Sequence, residues 1–176
     1  ISDWCNIEFD CNPLTSVENF YLNGELVTNL IIPSDVTTIK HHTFNGYEKL
    51  SSITIGENVT SIEKLAFGNL PNVSTIIIPE NVSDIANDAF DGCLAITKIT
   101  VDEKNSTYDS RENCQAIIET ASNTLISGCK NTIIPESITS IGYTAFYGCN
   151  TLTSVTIPDS VKSIGLLAFG YCISLK

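Results

Sequence analysis

The sequence predicts a repeat solenoid, mostly β. Its 23-residue units stack their strands into a parallel concave sheet and return over an irregular convex side. Three observations predict this. First, apolar residues recur at one fixed step: Phe44, Phe67 and Phe90 are 23 residues apart, as are Phe146 and Phe169. Four further ladders keep that step, apart from one unit that is ten residues longer. They are Ile39, Ile62, Ile85, Ile141, Ile164; Val36, Val59, Val82, Ile138, Val161; Ile32, Ile55, Ile78, Val101, Ile134, Ile157; and Ala66, Ala89, Ala145, Ala168, with Thr43 in the first unit. Second, each unit carries one stretch of period-two alternation, as where Val155 and Ile157 alternate with Ser154 and Thr156, the pattern of a half-buried strand. Third, no unit of this size can bury its apolar face alone, so the units must stack.

The elements follow in order within one domain, 1–176. Residues 1–29 lack the repeat and form an irregular unit or a terminal cap. Within them Phe20 to Val27 reads as a β-hairpin turning at Asn23-Gly24, the type I′ signature. Residues 30–101 are regular repeats. Residues 102–133 are the expanded unit, in which Ala116 to Glu119 and Thr124 to Ser127 flank a second turn. Each hairpin leads into an Ile-Ile-Pro strand, Ile31–Pro33 and Ile133–Pro135. Residues 134–176 are regular again, and the array is expected to continue beyond Lys176. Pro closes most strands because it has no N–H to give to a ladder. The apolar points of a return are Val161, Ile164, Ala168, Phe169 and Cys172 in the last unit. Six strands about 4.8 Å apart would span roughly 25–30 Å.

The consensus Ile-Pro-x-x-Val-x-x-Ile-x-x-x-Ala-Phe-x-Gly-Cys-x-x-Leu-x-x-Ile resembles the BspA-like leucine-rich repeats. It is clearest over Ile134 to Leu152 and Ile157 to Leu175. Such repeats occur on surface proteins of oral and gut bacteria and in some parasitic protists. The resemblance covers Leu30 to Leu175 apart from the insert. Gly56 and Asp102 replace the Pro, and Tyr47 and Leu70 replace the Cys. It implies a leucine-rich-repeat solenoid that is a fragment of a longer secreted or cell-surface protein. It also implies a protein-binding or adhesion module, with a passive spacer or stalk as the alternative.

Composition narrows the partners. The net charge is −11 and the pI about 4.4, with no basic run, which argues against nucleic acid and anionic membranes. No apolar stretch reaches the roughly 20 residues needed to span a bilayer. The chain begins Ile1-Ser2-Asp3-Trp4 and contains no Met, which fits a piece of a longer translation product. Of the seven cysteines, Cys93, Cys149 and Cys172 sit three residues after a Phe and read as small buried hydrophobes. Cys5 with Cys11, or Cys114 with Cys129, would pair only in an oxidising compartment.

No arrangement for catalysis stands out, and the chain reads as a non-enzyme without cofactor or metal. His41 and His42 are adjacent on a return with no Cys or carboxylate motif beside them. Asp102, Glu103, Asp109 and Glu112 do not have the spacing of a calcium loop and read as solvated. Asp84, Asp88 and Asp91 read as surface. There is no Gly-x-Ser-x-Gly and no phosphate loop. Sequons at Asn58, Asn72, Asn81 and Asn105 are expected by chance in a chain so rich in Asn, Ser and Thr.

The outward face of the strands remains. Alternation puts Asn29, Ser52, Thr75, Lys98, Asn131 and Ser154 in one row and Ile31, Thr54, Ile77, Thr100, Ile133 and Thr156 in the next. Thr and Ile are good strand formers whatever the face does. Isoleucines exposed on alternate rungs of a concave sheet would nonetheless suit a protein ligand, such as a host extracellular-matrix or serum protein. The chain is expected to be monomeric, with edge-to-edge association open to the last strand.

Overall fold

The structure is a computed structural model and describes residues 1–14 and 16–176. The 23-residue period becomes a solenoid of about six turns. The strands Asn29–Ile31, Ser52–Thr54, Thr75–Ile78 and Lys98–Val101 are the rungs of a first parallel ladder. Their alternation turns Leu30, Ile53, Ile76 and Ile99 inward, all buried but the half-buried Ile53.

Returns carry a second ladder that the repeat alone did not disclose. Thr38–Ile39, Ser61–Ile62 and Asp84–Ile85 pair in parallel, as do Ser140–Ile141 and Ser163–Ile164. A third column lies at the Phe turns. Phe44, Phe67 and Phe146 donate their N–H to Ala66, Ala89 and Ala168 at 2.7–3.0 Å. The rings stack almost parallel at 5.8, 5.8 and 5.1 Å over Phe44–Phe67, Phe67–Phe90 and Phe146–Phe169. The Cys of the repeat serves this column. Cys93 and Cys172 thiols donate to the Phe67 and Phe146 carbonyls of the turn before, at 2.9 and 3.1 Å. Burial pushes the Cys93 thiol up to about 12, as expected of an inert packing group. All seven cysteines are free, including the two candidate pairs.

Three of the sequon asparagines also stack the units. Asn58, Asn72 and Asn81 amides donate to the carbonyls of Ser34, Glu48 and Glu57 one turn back, at 2.6–2.8 Å. Asn105 is buried and holds the carbonyls of Pro79 and Val82, both at 2.8 Å.

Residues 1–29 cover the first turn. Trp4 packs on Phe9 and Phe20 at 4.9 and 4.5 Å, and its indole N–H donates to Thr43 O at 2.9 Å. The first hairpin pairs Tyr21–Leu22 with Glu25–Leu26. Asn23 and Gly24 have φ of 53° and 83°, the two left-handed residues a type I′ turn needs.

The expanded unit departs most from a plain array. Its hairpin, Ala116–Glu119 with Thr124–Gly128, lies across the solenoid with both faces buried. Ile117, Ile126 and Cys129 belong to the core before it, whereas Ala116, Ile118 and Leu125 belong to a second core after it. The hairpin is thus a partition. It does not lead into an Ile-Ile-Pro strand: Thr124–Gly128 joins the second ladder, pairing Leu125 with Ile141, and Ile133–Pro135 is not a strand. Gly128 stands where a Phe would be. A Cβ there would lie 2.3 Å from the Phe146 ring, so only glycine fits. On the loop side the array closes over the insert, where Gly92 N–H meets Tyr147 O at 3.4 Å and Thr144 Oγ1 meets Asn87 O at 3.4 Å.

Candidate binding surface

Ten of the twelve outward residues are exposed, and Thr75 and Thr100 are half-buried. The first ladder gathers eight of them into two patches. Asn29, Ile31, Ser52 and Thr54 sit on one pair of rungs, and Thr75, Ile77, Lys98 and Thr100 on another. Ser52 Oγ donates to Asn29 Oδ1 at 2.7 Å, which ties the first patch across its rungs. Ile31 and Ile77 are 64% and 56% exposed, large apolar side chains held in water by strand alternation, and Ile133, outside any strand, is 76% exposed. Lys98 is the one charged residue of the twelve.

The other four residues do not continue the ladder, contrary to the sequence-based expectation of six paired rungs. Residues 131–135 and 154–158 are not strands, and an open cleft of about 410 Å³ lies between them, lined by Thr132, Ile133, Ile134, Glu136, Ser154, Val155, Thr156 and Pro158. The reason is main-chain chemistry. A parallel rung needs donors from the next one. Ile32 N–H donates to Thr54 O at 2.9 Å, and Asp102 N–H to Ile78 O at 2.9 Å. These joined pairs end in the two units that lack the Pro. Gly56 packs so close that a Cβ would come 2.6 Å from Ile32 O, and Asp102 supplies the N–H. Where the following unit ends in Pro79 or Pro158 that donor is missing. No ladder then joins Ser52–Thr54 to Thr75–Ile78, or 131–135 to 154–158, among the described residues. The Gly56 and Asp102 exceptions are visible in the sequence, but their effect on pairing depends on which rungs become neighbours.

The remaining candidate groups are held by structural contacts. The His41 and His42 rings meet edge to face at 4.1 Å. His42 Nδ1 is 2.7 Å from Asn45 Nδ2, and burial, followed by His41 and Lys64, lowers its pKa. Asp109 is paired with Arg111 at 2.6 Å, and Arg111 reaches on to Asn123 at 2.8 Å, fastening the acidic loop to the hairpin turn. Asp109 and Arg111 line an open hollow of about 490 Å³ together with Asp102, Glu103 and Glu112. Asp88 lies 3.5 Å from Lys64. Asp91, at the seam beside Thr144, has its carboxyl pushed up to about 7, by burial first and then by Asp88. Among the described residues no group of three or more His, Cys, Asp or Glu is placed to hold a metal ion.

The profile of the BspA type leucine rich repeat region matches this chain in six copies, over residues 15–122 and 119–176. The chain belongs to that family. It is similar to a leucine rich cell surface protein from Faecalibacterium prausnitzii, at 31% identity over 84% of this chain and 40% of that one, with a TM-score of 0.71. It shares its fold with the pneumococcal vaccine antigen PcpA, at 19% identity over 84% of this chain and 38% of that one, with a TM-score of 0.72. The BspA-type chain therefore spans about two-fifths of each of these structures. No curated protein sequence matches it. No helix among the described residues is long and apolar enough to cross a membrane.

Proposed function

We propose that this BspA-type array is a protein-binding module of a bacterial cell-surface protein, engaging its ligand on the outward face of the Ile-Pro strands. The observation that supports it most is the row of exposed isoleucines, Ile31, Ile77 and Ile133, flanked by small hydroxyl side chains. Scattered apolar residues are normal on any surface, but isoleucines repeated on every second turn, with threonine between them, make a regularly spaced apolar row. Such a row with a nearly uncharged surround suits the core of a protein interface. The family and the cell-surface relative support the setting, and host extracellular-matrix or serum proteins are the ligand class to screen.

The test is capture of purified matrix and serum proteins on the immobilised chain, with Ile31→Lys/Ile77→Lys as the comparison. Capture that falls at least about tenfold in the folded variant supports the reading. Equal capture by both chains removes the face from consideration. Capture of nothing by either leaves a spacer as the better account of a regular array.

A further inference from the structure

We propose that the cleft between residues 131–135 and 154–158 takes an extended peptide segment of a partner protein, which enters as an additional strand between the two walls. This deepens the binding reading above and rests on it, because it names the form of the partner and where on the face it seats. The main chain of the two walls supports it. In a parallel strand, one residue turns both N–H and C=O to one neighbour, and the next residue turns both to the other. The first ladder fixes which way each position points. Ile32 donates forward to Thr54, and Ile78 accepts from Asp102 in the following rung. The repeat equivalents are Ile134, Thr156 and Pro158. By that register the Thr132 and Ile134 carbonyls and the Ile134 N–H face the cleft from one wall, and the Thr156 N–H and C=O face it from the other. Among the described residues none of these groups has a main-chain partner.

The first wall makes hydrogen bonds to the insert and the turn before it that the second wall does not. The first wall is drawn toward the insert. Asn131 Nδ2 donates to Thr97 O at 3.0 Å, Ile133 N–H to Cys114 O at 3.0 Å, and Thr132 Oγ1 to Gln115 O at 2.7 Å. The second wall belongs to the core after the partition, where Leu152 is buried and Val155 packs, and Ile134 of the first wall reaches the same core. Pro158 has no N–H with which to close the gap onto Ile134 O. Ile134 itself is only 6% exposed, so its main-chain groups have most to gain from a partner.

An extended chain meets these requirements because it presents donors and acceptors on both edges at once. Strand addition of this kind takes its affinity from main-chain bonds and its selectivity from alternate side chains. Five residues of wall at about 3.3 Å each give a seat of roughly 16 Å. The cleft volume of about 410 Å³ falls in the ordinary range for a ligand site. Its lining of Ile133, Ile134 and Val155 with Thr132, Ser154 and Thr156 suits small or β-branched side chains. Glu136 at the rim, on a chain of net charge −11, favours a Lys or Arg in the segment.

The experiment uses an end-blocked heptapeptide alternating threonine and valine with one lysine, titrated into the isotopically labelled chain. Amide exchange is read at Ile134 and Thr156. Both amides should exchange freely in the peptide-free chain and become protected when the peptide is added. A peptide N-methylated at alternate positions should bind at least about tenfold more weakly, because it loses the donors. Pro158→Ala, which restores the missing donor as Asp102 does elsewhere, should close the cleft and weaken binding by a similar factor. Glu136→Lys lies on the exposed rim and should reverse the preference between a lysine and a glutamate peptide, whatever becomes of the Pro158 variant. The proposal is overturned if both amides are already protected in the peptide-free monomer, which would mean that the walls pair with each other. It is equally overturned if they become protected only as the chain dimerises, which would mean that a second copy fills the cleft, or if N-methylation leaves binding unchanged. Failure here, with capture still lost in Ile31→Lys/Ile77→Lys, removes the cleft and leaves the exposed face standing.

Discussion

The block before the partition and the block after it are written in the same repeat, yet they differ in how their turns are joined. Before it, the Ile-Pro strands pair two by two, Asn29–Ile31 with Ser52–Thr54 and Thr75–Ile78 with Lys98–Val101. After it, the same strands are absent and a cleft takes their place. The second ladder persists in both blocks, as do the Phe column and its Cys hydrogen bonds. The difference teaches which contacts the solenoid needs. The core is closed by the second ladder and the Phe turns, where no Pro interrupts the donors. First-ladder pairing is not needed to close the core.

The partition gives the largest test of this comparison. Ile117 and Ile118 are adjacent and fully buried but face opposite cores. Each truncation to Ala should cost about 2–5 kcal/mol in denaturant unfolding. Ile117→Ala should speed amide exchange mainly in Lys98–Val101, and Ile118→Ala mainly in Ser140–Ile141. The same pattern for both would mean that the two cores are one cooperative unit.

Gly128→Ala ranks next. The new methyl meets the Phe146 ring, so about 1–3 kcal/mol should be lost, with the Phe146 environment visibly shifted by NMR. A neutral result would mean that the Phe column does not pass tightly over the insert.

Exchanging the proline exceptions is a smaller and sharper test. Asp102→Pro removes one main-chain bond and should cost about 1 kcal/mol, with loss of protection across Thr75–Ile78. Pro79→Ala should do the reverse for Ile55, although the freer unfolded chain offsets about 0.4–1 kcal/mol of the gain. If Ile55 stays unprotected, the missing donor is not what separates those rungs.

The smallest effect concerns pH. The Asp91 carboxyl is raised from an ordinary value near 3.8 to about 7 in the folded chain. The folded state therefore binds this proton more tightly than the unfolded state, so its contribution is present below about 4 and is lost as pH rises toward 7. Stability should decline over that window by thermal unfolding, and Asp91→Asn should flatten the decline. An equally steep decline in the variant would assign it to other groups.

Much of this was legible from particular residues. The Phe, Ile and Val ladders gave the period and the inward face, and Asn23-Gly24 gave the first turn. The outward rows were also readable, because strand alternation needs only the order of residues. The cleft was not. Gly56 and Asp102 stood out as exceptions to the Pro rule, but a missing donor matters only when it is known which carbonyl waits for it. That depends on which rungs are neighbours, and the insert rearranges the neighbours of 131–135. The hairpin of residues 116–128 was likewise readable as a hairpin, since pairing across a short turn is local. Its two buried faces were not assigned to two cores, because an apolar run reads the same whether one side or both are covered.

The sequence by itself therefore determined the repeat, the residues that fill the core and the two hairpins, since each follows from side-chain size and polarity at fixed spacing. Only the tertiary structure decided which turns share main-chain bonds, where the hairpin stands and that a cleft opens after it. Those outcomes depend on donors and acceptors meeting across turns that lie far apart in the chain.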